Sequence, residues 1–244
     1  MRSPAVHRAL EIEVAEARRR LGTAPRVLDV GGGSGGWAVP LARSGCAVTV
    51  VDPSPNALAT LQRRAAEAGV QHLITPVQGD ADSLADVVVP AGAELVLGHG
   101  VLEIVEDAAV ATAALAAATA PGGMVSVTVA NRYAAVLVRA LAGRLADARR
   151  VLDDPRGRLG STDPLLRRFD TDGLLTLLQN SGLVVELVQG DGVITDLVPS
   201  GVLEAHPGAA EQLAELELSA AAMAPLRDIA GRLHALARRP DTID

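Results

Sequence analysis

Apolar residues follow two rhythms along the 244 positions of this chain. Continuous apolar runs at 26–30, 47–51, 73–78, 93–98 and 124–130 are short and rich in Val, as strands buried on both faces are. Around them lie stretches in which apolar positions recur three and four residues apart, predicting helices at 5–21, 35–44, 55–68 and 106–119. Strict alternation of this kind predicts a parallel, doubly wound α/β sheet that receives ligands at the carboxyl ends of its strands. Pro40 falls inside the second helix and is expected to distort it locally.

The rhythm changes after Asn131. The pattern predicts an amphipathic helix over 131–152, capped by Asn131, with Leu137, Leu141, Leu145 and Leu152 on one face and Arg132, Arg139 and Arg150 on the other. A polar loop at 153–164 leads to a helix at 170–181 ended by Gly182, and a strand at 183–189 follows. A loop at 190–200, a helix at 209–224 and a last strand at 232–238 complete the chain. The uncharged stretch 108–131 has the length of a membrane span, but Pro121-Gly122-Gly123 divides it into a helix and a strand.

The turn after the first strand carries the most chemistry. Asp29 closes that strand, glycines follow at 31, 32, 33, 35 and 36, and Asp52 closes the second strand. Glycines let backbone N–H groups approach a ligand, and an acid after the second strand accepts the hydroxyls of a ribose. Gly31, Gly33 and Gly36 also satisfy the dinucleotide pattern, but Asp29 would repel a pyrophosphate. A carboxylate there binds an ammonium, directly or through water, and S-adenosylmethionine (SAM) has an ammonium and no phosphate. Asp29-x-Gly31-x-Gly33-x-Gly35 resembles motif I of the class I SAM-dependent methyltransferases.

That resemblance implies a Rossmann-like, seven-stranded, mostly parallel sheet ending in an antiparallel hairpin. The chain is then one methyltransferase domain over 1–244, with 131–168 as a helical substrate-covering insertion after the fifth strand. Methyltransferases present an acid or amide to the adenine amino group after the third strand; Asp80 is the first choice and Asp82 the second, although Asp82 also reads as a helix cap. His99, between two glycines after the fourth strand, is a candidate for lining the methionine end or positioning the acceptor, and less firmly for a general base. Glu103 is expected to face the helix and solvent, and Trp37 to lie in the core or beside the cofactor.

Composition narrows the surroundings. All 22 basic residues are Arg, and net charge is −7. Residues 131–168 nevertheless hold nine Arg against four Asp. A basic segment on an acidic protein fits either an anionic partner or an ordinary solvated face. One cysteine, Cys46, and a start without an apolar leader predict a soluble, cytoplasmic protein. His7, His72, His206 and His234 show no metal-ligand spacing, so no metal is expected.

A closer resemblance covers nearly the whole chain. Val27-Leu28-Asp29-x-Gly31-Gly32-Gly33, His99-Gly100-Val101-Leu102-Glu103, Pro121-Gly122-Gly123 with the strand to Asn131, and the tail from Glu215-Leu216-Glu217 through Arg232-Leu233-His234 to Arg238-Arg239-Pro240 are similar to the bacterial tRNA 5-carboxymethoxyuridine methyltransferases. That family esterifies the carboxylate of a modified wobble uridine with SAM, releasing S-adenosylhomocysteine. The resemblance implies that Arg2, Asp29, Gly31, Gly32, Gly33, Gly35, Asp52, Pro53, Asp80, Ala81 and His99 meet the cofactor. A tRNA anticodon loop would then be held by Arg132, Arg139, Arg150, Arg158 and Arg168. The alternatives are methylation of a small acidic or phenolic metabolite and, in another class, a non-catalytic SAM-binding protein.

Overall fold

The computed structural model describes residues 4–241, so Arg2 lies outside the described residues. Helix α1 (Pro4–Leu21) leads into β1 (Arg26–Val30), α2 (Ala38–Arg43), β2 (Ala47–Asp52), α3 (Pro55–Glu67) and β3 (Ile74–Gln78). A short α4 (Leu84–Val87) precedes β4 (Ala93–His99), α5 (Ala108–Ala118) and β5 (Thr119–Ala130). The insertion begins with α6 (Arg132–Leu141) and α7 (Leu145–Asp153). Then come α8 (Thr171–Asn180), β6 (Val184–Asp191), α9 (Ser200–Ala205), α10 (Ala209–Ala220) and β7 (Arg232–Arg238). Among the described residues no helix is long and apolar enough to cross a membrane.

The seven strands form one sheet in the order β3-β2-β1-β4-β5-β7-β6. Strands β1 to β5 pair in parallel, whereas β7 runs antiparallel to both β5 and β6. This is the expected α/β architecture with its terminal hairpin. Side chains alternate between the faces. Val27, Val48, Val50, Leu95, Leu97, Met124 and Leu236 pack with α1, α2 and α3. Leu28, Val30, Val96, Val125, Val127, Leu233 and Ala235 pack with α5 and α8 on the other face.

Two helices differ from the pattern-based expectation. Helix α2 starts at Ala38 and not near 35, because the glycine turn runs on through Trp37. Pro40 therefore sits in the first turn, where a missing N–H costs no helical hydrogen bond. The helix expected at 131–152 is broken into α6 and α7 at Gly143, whose φ of 73° is the left-handed conformation that ends helices. Asn131 does cap α6, accepting from the Tyr133 N–H, while its amide donates to the carbonyls of Asp228 and Ala230.

The insertion is tied down from below by its own arginines. Arg167 donates to the carbonyls of Leu102, Val105 and Glu106 at 2.6–2.7 Å, and the Leu166 N–H donates to the Glu103 carbonyl. Arg168 pairs at 2.6 Å with Asp163, and both side chains are buried. Burial by itself would raise the Asp163 carboxyl, but Arg168 and the N–H groups of Leu159 and Leu165 outweigh it and hold it at about 2.

Arg168→Ala would leave a buried carboxylate without its counter-charge, and the expected cost is about 3 kcal/mol in denaturant unfolding. Because the Asp163 pKa is depressed, its contribution is present above the ordinary carboxylate pKa near 4 and fades as pH falls toward about 2. Denaturation midpoints measured across that interval should converge for the wild type and the variant.

Candidate active site at the carboxyl edge of the sheet

Strands β1 and β2 pair with Asp29 opposite Val50, so Asp29 and Asp52 point to the same face, Asp52 two residues nearer the strand ends. Asp52 organises the turn. Its Oδ2 accepts the Gly33 N–H at 2.8 Å and its Oδ1 accepts the Ser54 N–H at 2.9 Å. A carboxylate offers about four lone-pair positions, so each oxygen keeps capacity for a ribose hydroxyl. The Gly33 N–H reaches Asp52 from a backbone φ of 55°, a conformation that favours glycine.

Asp29 is only 1% exposed and lies directly beneath the turn. A Cβ on Gly32 would stand 2.5 Å from Asp29 Oδ2 and 2.8 Å from a Val50 methyl. The Asp29 carboxylate receives the Ala38 N–H, yet Oδ2 is buried without a partner. Burial and then the neighbouring Asp52 charge push its carboxyl up to about 7. A buried polar atom without a partner marks a place where a ligand donor is missing. An ammonium group supplies that donor and a compensating charge.

The cleft continues along the strand ends. Gly31, Pro53, Asp80, Ala81, Val101 and Ile104 line about 150 Å³ between the β1, β3 and β4 loops. Asp80 and Asp82 are both exposed there, and Asp80, not Asp82, takes the capping role by accepting the Asp82 N–H. Asp29, Asp52 and this cleft thus offer, in sequence, partners for an ammonium, a ribose and a purine. SAM fits those residues.

His99 closes the other side. Its Nε2 lies 2.8 Å from Ser126 Oγ, and its Nδ1 is buried with no partner. Trp37 meets the His99 ring edge-on at 5.3 Å and stacks with His7 at 6.1 Å, so the lone Trp joins α1 to the site wall. Burial, then the Arg232 charge, pushes the His99 imidazole down to about 3. It is neutral near pH 7 and a poor proton acceptor.

Other expectations are corrected. Glu103 does not face solvent: it is 5% exposed, Oε1 accepts the Ala130 N–H, and Oε2 has no partner. The Leu face of the insertion is the outer one, with Leu137 38%, Leu141 77%, Leu145 67% and Leu152 48% exposed. Conversely, Arg132 donates to the Leu152 carbonyl, Arg139 to Ala135, Arg158 to Gly160 and Arg168 to Asp163. Only Arg150 of the five nominated arginines projects well into solvent, and it pairs with Asp147. Ser126, Gln189 and the site role of His234 were missed. Their strands β5, β7 and β6 come to lie in succession beyond β4 only through long-range pairing, and the one signal was a polar Ser inside a Val-rich strand.

Residues 27–123 match the family described as a methyltransferase domain. The matched segment, which is less than half of the chain, is thus similar to methyltransferase domains. The ubiquinone biosynthesis O-methyltransferase of Methylobacterium nodulans is 35% identical over 119 residues, 48% of this chain and 45% of that protein. This chain thus spans about half the length of such curated relatives. A SAM-dependent methyltransferase structure from Mesorhizobium loti superimposes with a TM-score of 0.64 at 23% identity, covering 97% of this chain and 96% of that one. The magnesium protoporphyrin IX methyltransferase of Synechocystis, solved with bound S-adenosylhomocysteine, superimposes at 0.61 with 14% identity over 96% of this chain and 81% of that one.

Two outcomes follow for cofactor binding. Gly32→Ala drives a methyl into Asp29 and should weaken S-adenosylhomocysteine binding by at least roughly a hundredfold in calorimetry, a loss of about 3 kcal/mol. Because the ligand ammonium needs an ionised Asp29, affinity should rise as pH climbs through about 7. Between pH 5.5 and 8.5 the gain should approach roughly thirtyfold. Asp29→Asn should bind weakly and show no such slope.

Proposed function

We propose that this chain is a SAM-dependent O-methyltransferase acting on a small acidic acceptor, a carboxylate before a phenol. The observation that carries the reading is the inward commitment of five of the nine arginines of 131–168. Arg132, Arg158, Arg167 and Arg168 are spent on carbonyls and on Asp163, which leaves an outer face of leucines where a phosphate-binding surface would be needed. One Trp, one Tyr and one Phe in the whole chain also provide little for stacking the bases of an RNA loop. The similarity over 27–123 to ubiquinone biosynthesis O-methyltransferases supports an oxygen acceptor.

The cofactor supplies an electrophilic methyl on a sulfonium. Methyl transfer forms an oxygen–carbon bond as the sulfur–carbon bond breaks, so the protein's work is alignment and exclusion of water. Asp29 and Asp52 would fix the ammonium and the ribose of the donor, and Arg167 ties the segment after α7 to the loop that follows β4 at the rim of the cleft. A carboxylate acceptor is already ionised and asks for no base. That agrees with a His99 held neutral by burial.

The tRNA reading retains the exposed Arg144, Arg149, Arg150 and Arg156, of which the first three pair with Asp147 or Asp153. A labelled-SAM assay against total tRNA and against a metabolite extract separates the two. Label is expected in the small-molecule fraction. Label in tRNA, with binding that weakens steeply with salt, would replace this reading with the first.

A further inference from the structure

A row of polar side chains crosses four strands at the carboxyl end of the sheet, on the face that α1 covers. His99 pairs with Thr128 across β4 and β5, Thr128 with His234 across β5 and β7, and His234 with Gln189 across β7 and β6. Ser126 lies two residues before Thr128 and points the same way. The contacts are continuous. His99 Nε2 is 2.8 Å from Ser126 Oγ, Ser126 Oγ is 2.9 Å from His234 Nε2, and His234 Nδ1 is 2.9 Å from Gln189 Nε2. The two imidazoles meet edge-on at 5.9 Å.

The chain has a direction. Each neutral imidazole carries one N–H and one lone pair, and Ser126 has one hydroxyl proton between two Nε2 atoms. Two lone pairs facing Ser126 would leave one contact without a proton. Two N–H groups would strand the hydroxyl proton inside a residue that is 0% exposed. Both contacts and the hydroxyl proton are used when one ring donates and the other accepts, so the two histidines take opposite tautomers. Gln189 sets which. Its amide nitrogen donates to His234 Nδ1, so His234 carries its proton on Nε2 and donates to Ser126. Ser126 then donates to His99 Nε2, and the His99 proton sits on Nδ1. That N–H is buried and has no protein acceptor.

We propose that Ser126, His234 and Gln189 are positioning residues that lock His99 as an Nδ1–H donor, and that this donor receives a carboxylate oxygen of the bound ligands. The lock needs only the geometry above, whereas the carboxylate rests on the methyltransferase reading. Two carboxylates have the required chemistry: that of the methionine end of the donor and that of the acceptor. Either removes the cost of an unpaired buried N–H. Neither requires His99 to change protonation, so the group acts as an orienting donor and not as a base.

The test uses the full chain labelled with ¹⁵N-histidine, with His99 assigned from the spectrum of His99→Asn. Long-range ¹H–¹⁵N correlations should show Nδ1–H for His99 and Nε2–H for His234; an Nε2–H tautomer at His99 overturns the proposal. Adding S-adenosylhomocysteine should move the Nδ1–H resonance downfield if the donor's carboxylate is the partner. If only benzoate added to that complex moves it, the acceptor's carboxylate is the partner. A resonance that neither moves overturns the carboxylate assignment. Ser126→Ala should abolish the single tautomer and weaken the responsive ligand roughly tenfold, the worth of one hydrogen bond to a charged group. 5′-Methylthioadenosine, which lacks the carboxylate, should bind unchanged. Gln189→Glu offers an acceptor to His234 in place of a donor and should reverse the row, placing the His99 proton on Nε2. Tautomers unchanged in both variants would overturn the lock. Failure of S-adenosylhomocysteine to bind the wild type would instead remove the methyltransferase reading, with the tautomer pair still decided by the first spectrum.

Discussion

Two carboxylates held on one face of adjacent parallel strands, offset by two residues near the strand ends, are the constraint on which the site depends. Asp29 and Asp52 repel each other, and only Asp52 is well supplied with N–H donors. The turn above them must be thin enough to lie over Asp29 and must aim a backbone N–H at Asp52. Gly32 does the first, since a Cβ there has no room, and Gly33 does the second from a left-handed backbone. The uncompensated half of that arrangement is Asp29 Oδ2, a buried oxygen that lacks a donor until a cation arrives. Binding selectivity follows: an ammonium at this position is favoured, and a phosphate is rejected.

The rest of the sheet serves the same edge. Its lower part is an apolar sandwich, with Leu95, Leu97, Met124 and Leu236 against α1 and α2. On that same face the strand ends turn polar at His99, Ser126, His234 and Gln189. A buried polar row is tolerated only when its members satisfy one another, and these do so in a directed chain that ends at the unpaired His99 nitrogen. Burial makes both histidines neutral, which is what allows them to act as oriented dipoles.

The insertion shows how far net charge can mislead. Nine Arg in 131–168 suggest an anion-binding surface. In the folded chain, however, several of those guanidiniums cap carbonyls of loops that have no regular partner, and Arg168 neutralises a buried Asp. A guanidinium has five donors in a rigid fork and suits this splinting role as well as it suits phosphate. Its use is decided by which carbonyls lie within reach.

Local patterning was sufficient for β1 to β5 and for α1, α2, α3 and α5, though not for the short α4, and for the capping role of Asn131 and the glycine turn between Asp29 and Asp52, because periodicity, caps and left-handed glycines are properties of short segments. It placed β7 at 232–238, the span that the structure shows as Arg232–Arg238. It could not show that the exposed side of α6 and α7 is the leucine side, that Glu103 is buried, or that Gly143 splits the helix in two. Nor could it join His99 to His234, 135 residues further on, since that contact exists only because β7 inserts antiparallel between β5 and β6. The residues that fit a SAM-like donor were thus written in one contiguous segment. The tautomer of His99 was decided by tertiary structure alone, because it depends on one serine proton shared between strands that are distant in the chain and neighbours in the sheet.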